Sequence, residues 1–247
     1  MRTPRGLSSY QLFAERIHEL APNARAILEV GCGDGLLLRR LWALYHSKIE
    51  LVGVDLSEAE LDRARRLFGE ADYICADART ADFGVERFDA VVSHLVLMIA
   101  SQPERILQSV RRSLRPSGLL ISVIQRSWQE STLNAVLAAA MRALQSEHQT
   151  ALPSIPERAR FEDIAELHRV IESGGFHDVI IEPYEVAARF SREETWAFVQ
   201  RIYHFGLLSA TSQAAIRAAV DAALTDMLDE DGRFEATMPL QLIIARA

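Results

Sequence analysis

Carboxylates and glycines stand at the ends of successive short apolar runs in this chain. Ala26–Val30 leads into Glu29-Val30-Gly31-Cys32-Gly33-Asp34-Gly35, Glu50–Asp55 ends on an acid, Asp77 follows Tyr73–Ala76, and Phe88–Ser93 leads into His94. Glycines let a backbone turn sharply and come close to a ligand. The spacing is G-x-G-x-G, and Leu36 stands where a dinucleotide fingerprint wants a third small residue. Glu29 and Asp34 also set negative charge beside the loop. That suits a pyrophosphate poorly, because phosphates prefer bare N–H groups and a helix dipole. A ligand with positive charge and no phosphate suits it well. Asp55 is positioned to accept two neighbouring hydroxyls at once. Asp77 can accept from an amino group, with the Ala78 N–H nearby as a donor. His94 has two readings: a general base near neutral pH, or a hydrogen-bonded histidine beneath the ligand.

The elements that must position these residues alternate. Residues 8–20 read as an amphipathic helix from Leu12, Ile17 and Leu20. Strands at 26–30, 50–55, 73–76, 88–93 and 119–124 are separated by helices at 36–45, 57–68 and 103–114, with Pro116-Ser-Gly118 as a turn. Ser57 and Glu60 form an S-x-x-E capping box, as do Ser191 and Glu194. Nearly all-apolar strands between helices predict an α/β fold, a doubly wound, mostly parallel sheet covered on both faces. Ligands bind such sheets beyond the carboxyl ends of the strands, where the residues above stand. After residue 124 the pattern becomes helical, with candidates at 128–152 and 161–173, the latter stopping at Gly174-Gly175. A strand at 177–190, helices from Ser191 and over 212–228, and a closing strand at 240–245 complete the chain. The expected organisation is one domain: an N-terminal helix (1–22), a ligand-binding core (23–124), a helical lid (125–176) and closing elements (177–247).

Bulk properties narrow the function. The chain of 247 residues is 49% hydrophobic and 25% charged, ordinary globular usage, with a formal net charge of -7. The acidic balance lowers the prospect of a nucleic-acid partner, which calls for a basic face. No apolar run approaches a membrane span and the first residues lack a signal-peptide core, so no membrane partner and a cytoplasmic address are expected. Cys32 and Cys75 lie outside zinc-type spacing; no metal site is expected, and both read as small fillers. Tyr10, Trp128, Tyr184, Arg189, Trp196, Tyr203 and His204 are candidates to line a substrate pocket.

The motif series resembles the class I S-adenosylmethionine-dependent methyltransferases. Glu29–Gly35 is similar to that family's glycine motif, Val52-Gly-Val-Asp-Leu-Ser57 to its ribose motif and Ala76-Asp-Ala78 to its adenine motif. Phe88–Ser93 resembles its fourth-strand motif and Leu114-Arg-Pro-Ser-Gly118 the turn before its fifth strand. The resemblance is strong over residues 26–124 and weaker to the end, where it implies an antiparallel closing pair in a seven-stranded sheet. It implies S-adenosylmethionine as cofactor, held by Tyr10, Glu29, Gly31, Cys32, Gly33, Gly35, Asp55, Leu56, Asp77, Ala78, Ser93 and His94. Asp55 would take the ribose, Asp77 and Ala78 the adenine, Ser93 the methionine portion, and Tyr10 would close over the cofactor. The implied reaction is methyl transfer to a small-molecule acceptor, with His94 the candidate catalytic residue. Pro-Ser-Gly stands for the more usual Pro-Gly-Gly, and Met98-Ile99 where small-molecule members often carry histidine. Three other readings stay open: a methyltransferase of a protein or carrier-bound substrate, a cofactor-binding protein that does not methylate, and an NAD-linked oxidoreductase.

Overall fold

Local signals place most elements where their residues demand. The computed structural model describes residues 9–46, 48–125, 136, 138, 161–200 and 209–247. Its elements run α1 (Ser9–Leu20), β1 (Ala26–Val30), α2 (Leu36–Leu44), β2 (Glu50–Asp55), α3 (Glu58–Leu67), β3 (Asp72–Cys75), β4 (Phe88–His94), α4 (Pro103–Ser113) and β5 (Leu114–Gln125). They continue as α5 (Ile164–Ser173), β6 (His177–Ser191), α6 (Arg192–Val199), α7 (Ala210–Leu224) and β7 (Arg233–Arg246). The strands form one seven-stranded sheet in the order β3-β2-β1-β4-β5-β7-β6. β1 pairs in parallel with β2 and β4, β2 with β3, and β4 with β5, whereas β7 runs antiparallel to β5. The chain leaves β1 toward one edge and returns to β4 on its other side. The carboxyl ends of β1 and β4 therefore flank the topological switch point, where open α/β sheets bind ligands.

Every residue of β1 is buried, as a central strand covered on both faces requires. Ile27, Leu28, Val52, Val91 and Val92 are all at most 1% exposed, each worth about 1.5–3 kcal/mol of burial. β3 lies at the edge, so Cys75 is exposed rather than the buried filler expected of it.

Several bounds differ from expectation for local reasons. The Pro116-Ser-Gly118 turn is an excursion within β5: Phe88 faces Leu114 while Ala90 faces Leu119, and Ser117 takes a positive φ of 62°. β7 begins at Arg233, ahead of the apolar stretch 240–245, since its first half alternates polar and apolar residues from Arg233 to Met238 instead of forming an apolar run. Ser209 caps α7, which ends at Leu224. Asp163 caps α5 and leaves the buried Phe161 ahead of the helix. The capping box at Ser191 and Glu194 forms completely. At Ser57 only half of it forms: Ser57 Oγ accepts from the Glu60 N–H, but the Ser57 N–H goes to Asp55 Oδ1.

The chain divides into two compact units, one of residues 8–126, 155–184 and 240–247, the other of 1–7, 127–154 and 185–239. The first holds the switch point and a core that includes Val30, Val54, Phe88, Val91, Leu120 and Ile243. The second has its own cluster of Val136, Val199, Ile216, Val220, Leu224 and Phe234. The expected helix at 128–152, most of the lid, and Trp128, Tyr203 and His204 lie outside the described residues. No helix among the described residues is long and apolar enough to cross a membrane.

Candidate functional site

The loop after β1 is held from beneath by β2. Gly31 and Cys32 both donate their N–H to Val54 O, and Gly35 donates to Cys32 O. Two of the glycines illustrate different needs. Gly31 has φ +72°, and a Cβ there would meet Val96 Cγ2 at 2.3 Å, so glycine makes room for the segment following β4. Gly33 also takes a positive φ, of +50°, yet a Cβ on it would meet nothing within 4 Å. Its backbone faces open space. Cys32 is buried, with its Sγ against the hydrogen that stands for a side chain on Gly53.

Glu29 sits under this loop and is 1% exposed. The Leu38 backbone, in the first turns of α2, hydrogen-bonds its carboxyl, whereas Oε2 has no partner among the described residues. Burial first, then the charges of Asp55 and Asp34, push the Glu29 carboxyl well above the usual carboxylate range. Asp34 meets Arg63 at 3.6 Å on the more exposed side. The buried side of the acid cluster is therefore short of positive charge. A cationic ligand there would favour the ionised form of Glu29.

Asp55 is the hub between the glycine loop and α3. Its Oδ2 accepts the Gly33 N–H and its Oδ1 the Ser57 N–H, both at 2.9 Å. Leu56, next along, is 71% exposed. Asp77 is engaged otherwise. Arg79 donates to it from its backbone N–H, Nε and Nη2, and from Nη1 to Ser101 Oγ. The guanidinium holds the Asp77 carboxyl below its ordinary range. Ala78 is buried in the core of the same unit. Arg79 was not among the expected site residues. An aspartate accepting from the N–H two residues on is an ordinary Asx turn, and nothing in Asp-Ala-Arg marks its side chain.

At the end of β4, Ser93 Oγ donates to Val30 O at 3.3 Å, tying the two strands that flank the switch point. His94 is 7% exposed, and neither ring nitrogen has a hydrogen-bond partner among the described residues. Its ring stacks on Tyr10 with centroids 4.2 Å apart, and Phe13 lies at 5.7 Å. Burial pushes the imidazole down to about 4, so it is neutral at physiological pH. The Tyr10 phenol is pushed up by burial, and then by Glu29, Asp34 and Glu60. Helix α1 thus brings Tyr10 to the switch point.

The site unites Tyr10, Glu29, Gly31, Cys32, Gly33, Gly35, Asp55, Leu56, Ser93 and His94 around the ends of β1, β2 and β4, with Asp77 and Ala78 beyond β3. The other pocket candidates are placed differently. Tyr184 carries a buried hydroxyl without a partner among the described residues. Arg189 pairs with Asp229 and Asp231, and Trp196 lies under Arg217. Arg189 and Trp196 belong to the second unit. No group of three metal-ligating side chains occurs among the described residues.

Comparison with known proteins adds a family match. Residues 28–122 match the family described as "Methyltransferase domain". A phosphatidylethanolamine N-methyltransferase of Cereibacter sphaeroides is 34% identical over 128 residues, 49% of this chain and 61% of that protein. A malonyl-[acyl-carrier protein] O-methyltransferase of Legionella pneumophila is 32% identical over 110 residues, 43% of this chain and 38% of that protein. The chain thus spans less than two thirds of the length of either relative. Among solved structures, a putative methyltransferase from Bacillus halodurans shares the fold with a TM-score of 0.61 at 17% identity, covering 97% of this chain and 99% of that one.

Proposed function

We propose that this chain, whose residues 28–122 match a methyltransferase domain, transfers the methyl group of S-adenosylmethionine to a small-molecule acceptor. The observation that carries the reading is the buried Glu29 carboxyl, with one oxygen unpartnered among the described residues, beneath an open glycine loop and beside two further acids. That donor set fits a ligand with positive charge and no phosphate. It would repel the pyrophosphate of NAD.

When bound, the cofactor supplies an electrophilic methyl group on a sulfonium, open to in-line displacement. The protein's task is then to bind, orient and exclude water. In this reading Glu29 and Asp34 balance positive charge. Asp55 accepts the ribose hydroxyls on the lone pairs its two backbone bonds leave over. Leu56 covers the nucleoside, and Asp77 and Ala78 read the adenine. Gly31, Cys32, Gly33, Gly35 and Ser93 shape the methionine end, and Tyr10 covers it. His94, neutral and without a partner among the described residues, offers one ring lone pair to a proton on the acceptor. A conjugate acid near 4 makes it an orienting hydrogen-bond acceptor more than a strong base. The acyl-carrier-protein relative supports a second reading, a carrier-bound acceptor.

Calorimetry with S-adenosylmethionine, S-adenosylhomocysteine and NADH tests the proposal, alongside an Asp55→Ala variant. Micromolar binding of the first two, weakened at least tenfold in the variant, is the expected result. Binding of NADH with no response to S-adenosylmethionine would overturn it. Turnover of free acceptors, and of the same acceptors on a carrier protein, then separates the two substrate readings.

A further inference from the structure

The two carboxylates that end β2 and β3 differ in how fully they are used. A carboxylate offers about four lone-pair positions. Asp55 gives one on each oxygen to a backbone N–H and keeps the others. Asp77 is clamped on both oxygens. Its Oδ1 accepts the Arg79 backbone N–H and Nε–H, both at 2.9 Å, and its Oδ2 accepts the same Nε–H at 2.9 Å and Nη2–H. The guanidinium's remaining end donates from Nη1 to Ser101 Oγ at 2.7 Å. One side chain therefore spans from the turn after β3 to the segment joining β4 and α4. The Arg79 and Asp77 side chains are 34% and 29% exposed, so water reaches the pair and the contacts can be exchanged at modest cost.

We propose that Arg79 sets the affinity and base selectivity of the cofactor site by competing with the adenine amino group for Asp77. This rests on the cofactor reading above. The amino group is a donor, and a carboxylate clamped on both oxygens by a guanidinium offers it little free acceptor capacity. Each oxygen that Arg79 releases is one that the base can use. The competition has a chemical signature. A hypoxanthine base presents a carbonyl oxygen where adenine has its amino group. The ionised Asp77 repels that oxygen, while the Arg79 guanidinium attracts it. With Arg79 in place the site is therefore less strict for adenine than Asp77 alone would be.

The test is calorimetric binding of S-adenosylhomocysteine and its deaminated inosyl counterpart to the unsubstituted chain and to Arg79→Ala, Arg79→Lys, Ser101→Ala and Asp77→Asn. Arg79→Ala is expected to bind S-adenosylhomocysteine roughly two- to fivefold tighter, the scale of a partly exposed ion pair. It should bind the inosyl compound no tighter, or more weakly, so that the preference for adenine widens. Arg79→Lys keeps the charge without the fork and should fall between. Ser101→Ala should move in the same direction by less, and Asp77→Asn should narrow the preference. Unchanged or weaker binding of S-adenosylhomocysteine by Arg79→Ala, with the unsubstituted chain binding normally, would overturn the competition and leave the cofactor reading standing. Failure of the unsubstituted chain to bind S-adenosylhomocysteine would remove the cofactor reading, and the competition with it.

Discussion

His94 stands at the centre of the site with both ring nitrogens unpartnered among the described residues, packed against Tyr10 and Phe13. Burial holds its imidazole near 4, against 6.5 for an exposed histidine. Between those values the unfolded chain binds a proton that the folded chain refuses. The depressed pKa therefore contributes stability that is present above about 6.5 and is lost as pH falls toward 4. Integrating the proton difference gives a loss of about 2 kcal/mol between pH 7 and pH 5 from this one group. Replacing the ring by phenylalanine keeps an aromatic surface for Tyr10 and removes the nitrogens that require protonation. Urea unfolding of the unsubstituted chain and of His94→Phe, at pH 7, 6 and 5, isolates the term, because the carboxylates are common to both. The variant should be about as stable at pH 7, where no hydrogen bond is lost, and should gain about 2 kcal/mol on the parent by pH 5. A gap between the two proteins that stays constant across this range would refute the argument. The imidazole would then be solvated or partnered in solution, and its proposed role as a neutral acceptor would lose its basis.

Gly31→Ala should destabilise the fold by about 2–4 kcal/mol, since the new Cβ would meet Val96 on a backbone of positive φ. Gly33→Ala, with open space at its Cβ, should cost only about 1–2 kcal/mol for the left-handed backbone but weaken cofactor binding more; thermal unfolding and calorimetry read the two effects separately. Burial raises the Glu29 carboxyl and a cationic cofactor favours its ionised form, so cofactor binding should release protons over the pH range in which the buried carboxyl titrates. The binding enthalpy in that range should vary with the ionisation enthalpy of the buffer, and Glu29→Gln should remove that variation.

What the sequence made legible follows from how far each signal reaches. The parallel core was readable because β1, β2 and β4 are buried on both faces and so carry short, nearly unbroken apolar runs between helices. The glycine loop was readable because positive φ and close backbone contact exclude other residues at Gly31. The first half of β7 was not, since its signal is the alternation from Arg233 to Met238, broken at Pro239, and not an apolar run. Cys75 was misplaced because sequence gives strands but not their order, and only the order puts β3 at the edge.

The acids at the strand ends mark where residue type stops being informative. Asp55 and Asp77 look alike in sequence, each closing an apolar run and each followed two residues later by a residue whose N–H it accepts. What separates them is the side chain at that second position. Ser57 spends its hydroxyl on the Glu60 N–H and takes from Asp55 only a backbone bond, so Asp55 keeps acceptor capacity facing the glycine loop. Arg79 adds a forked cation to the same turn and occupies both oxygens of Asp77. The half-formed capping box at Ser57 is therefore more than a failed helix signal. Had Glu60 taken the Ser57 N–H, Asp55 would have lost one of the two bonds that aim it at Gly33. A carboxylate's availability to a ligand is thus decided by the donors around it, and those depend on rotamers that spacing alone does not encode.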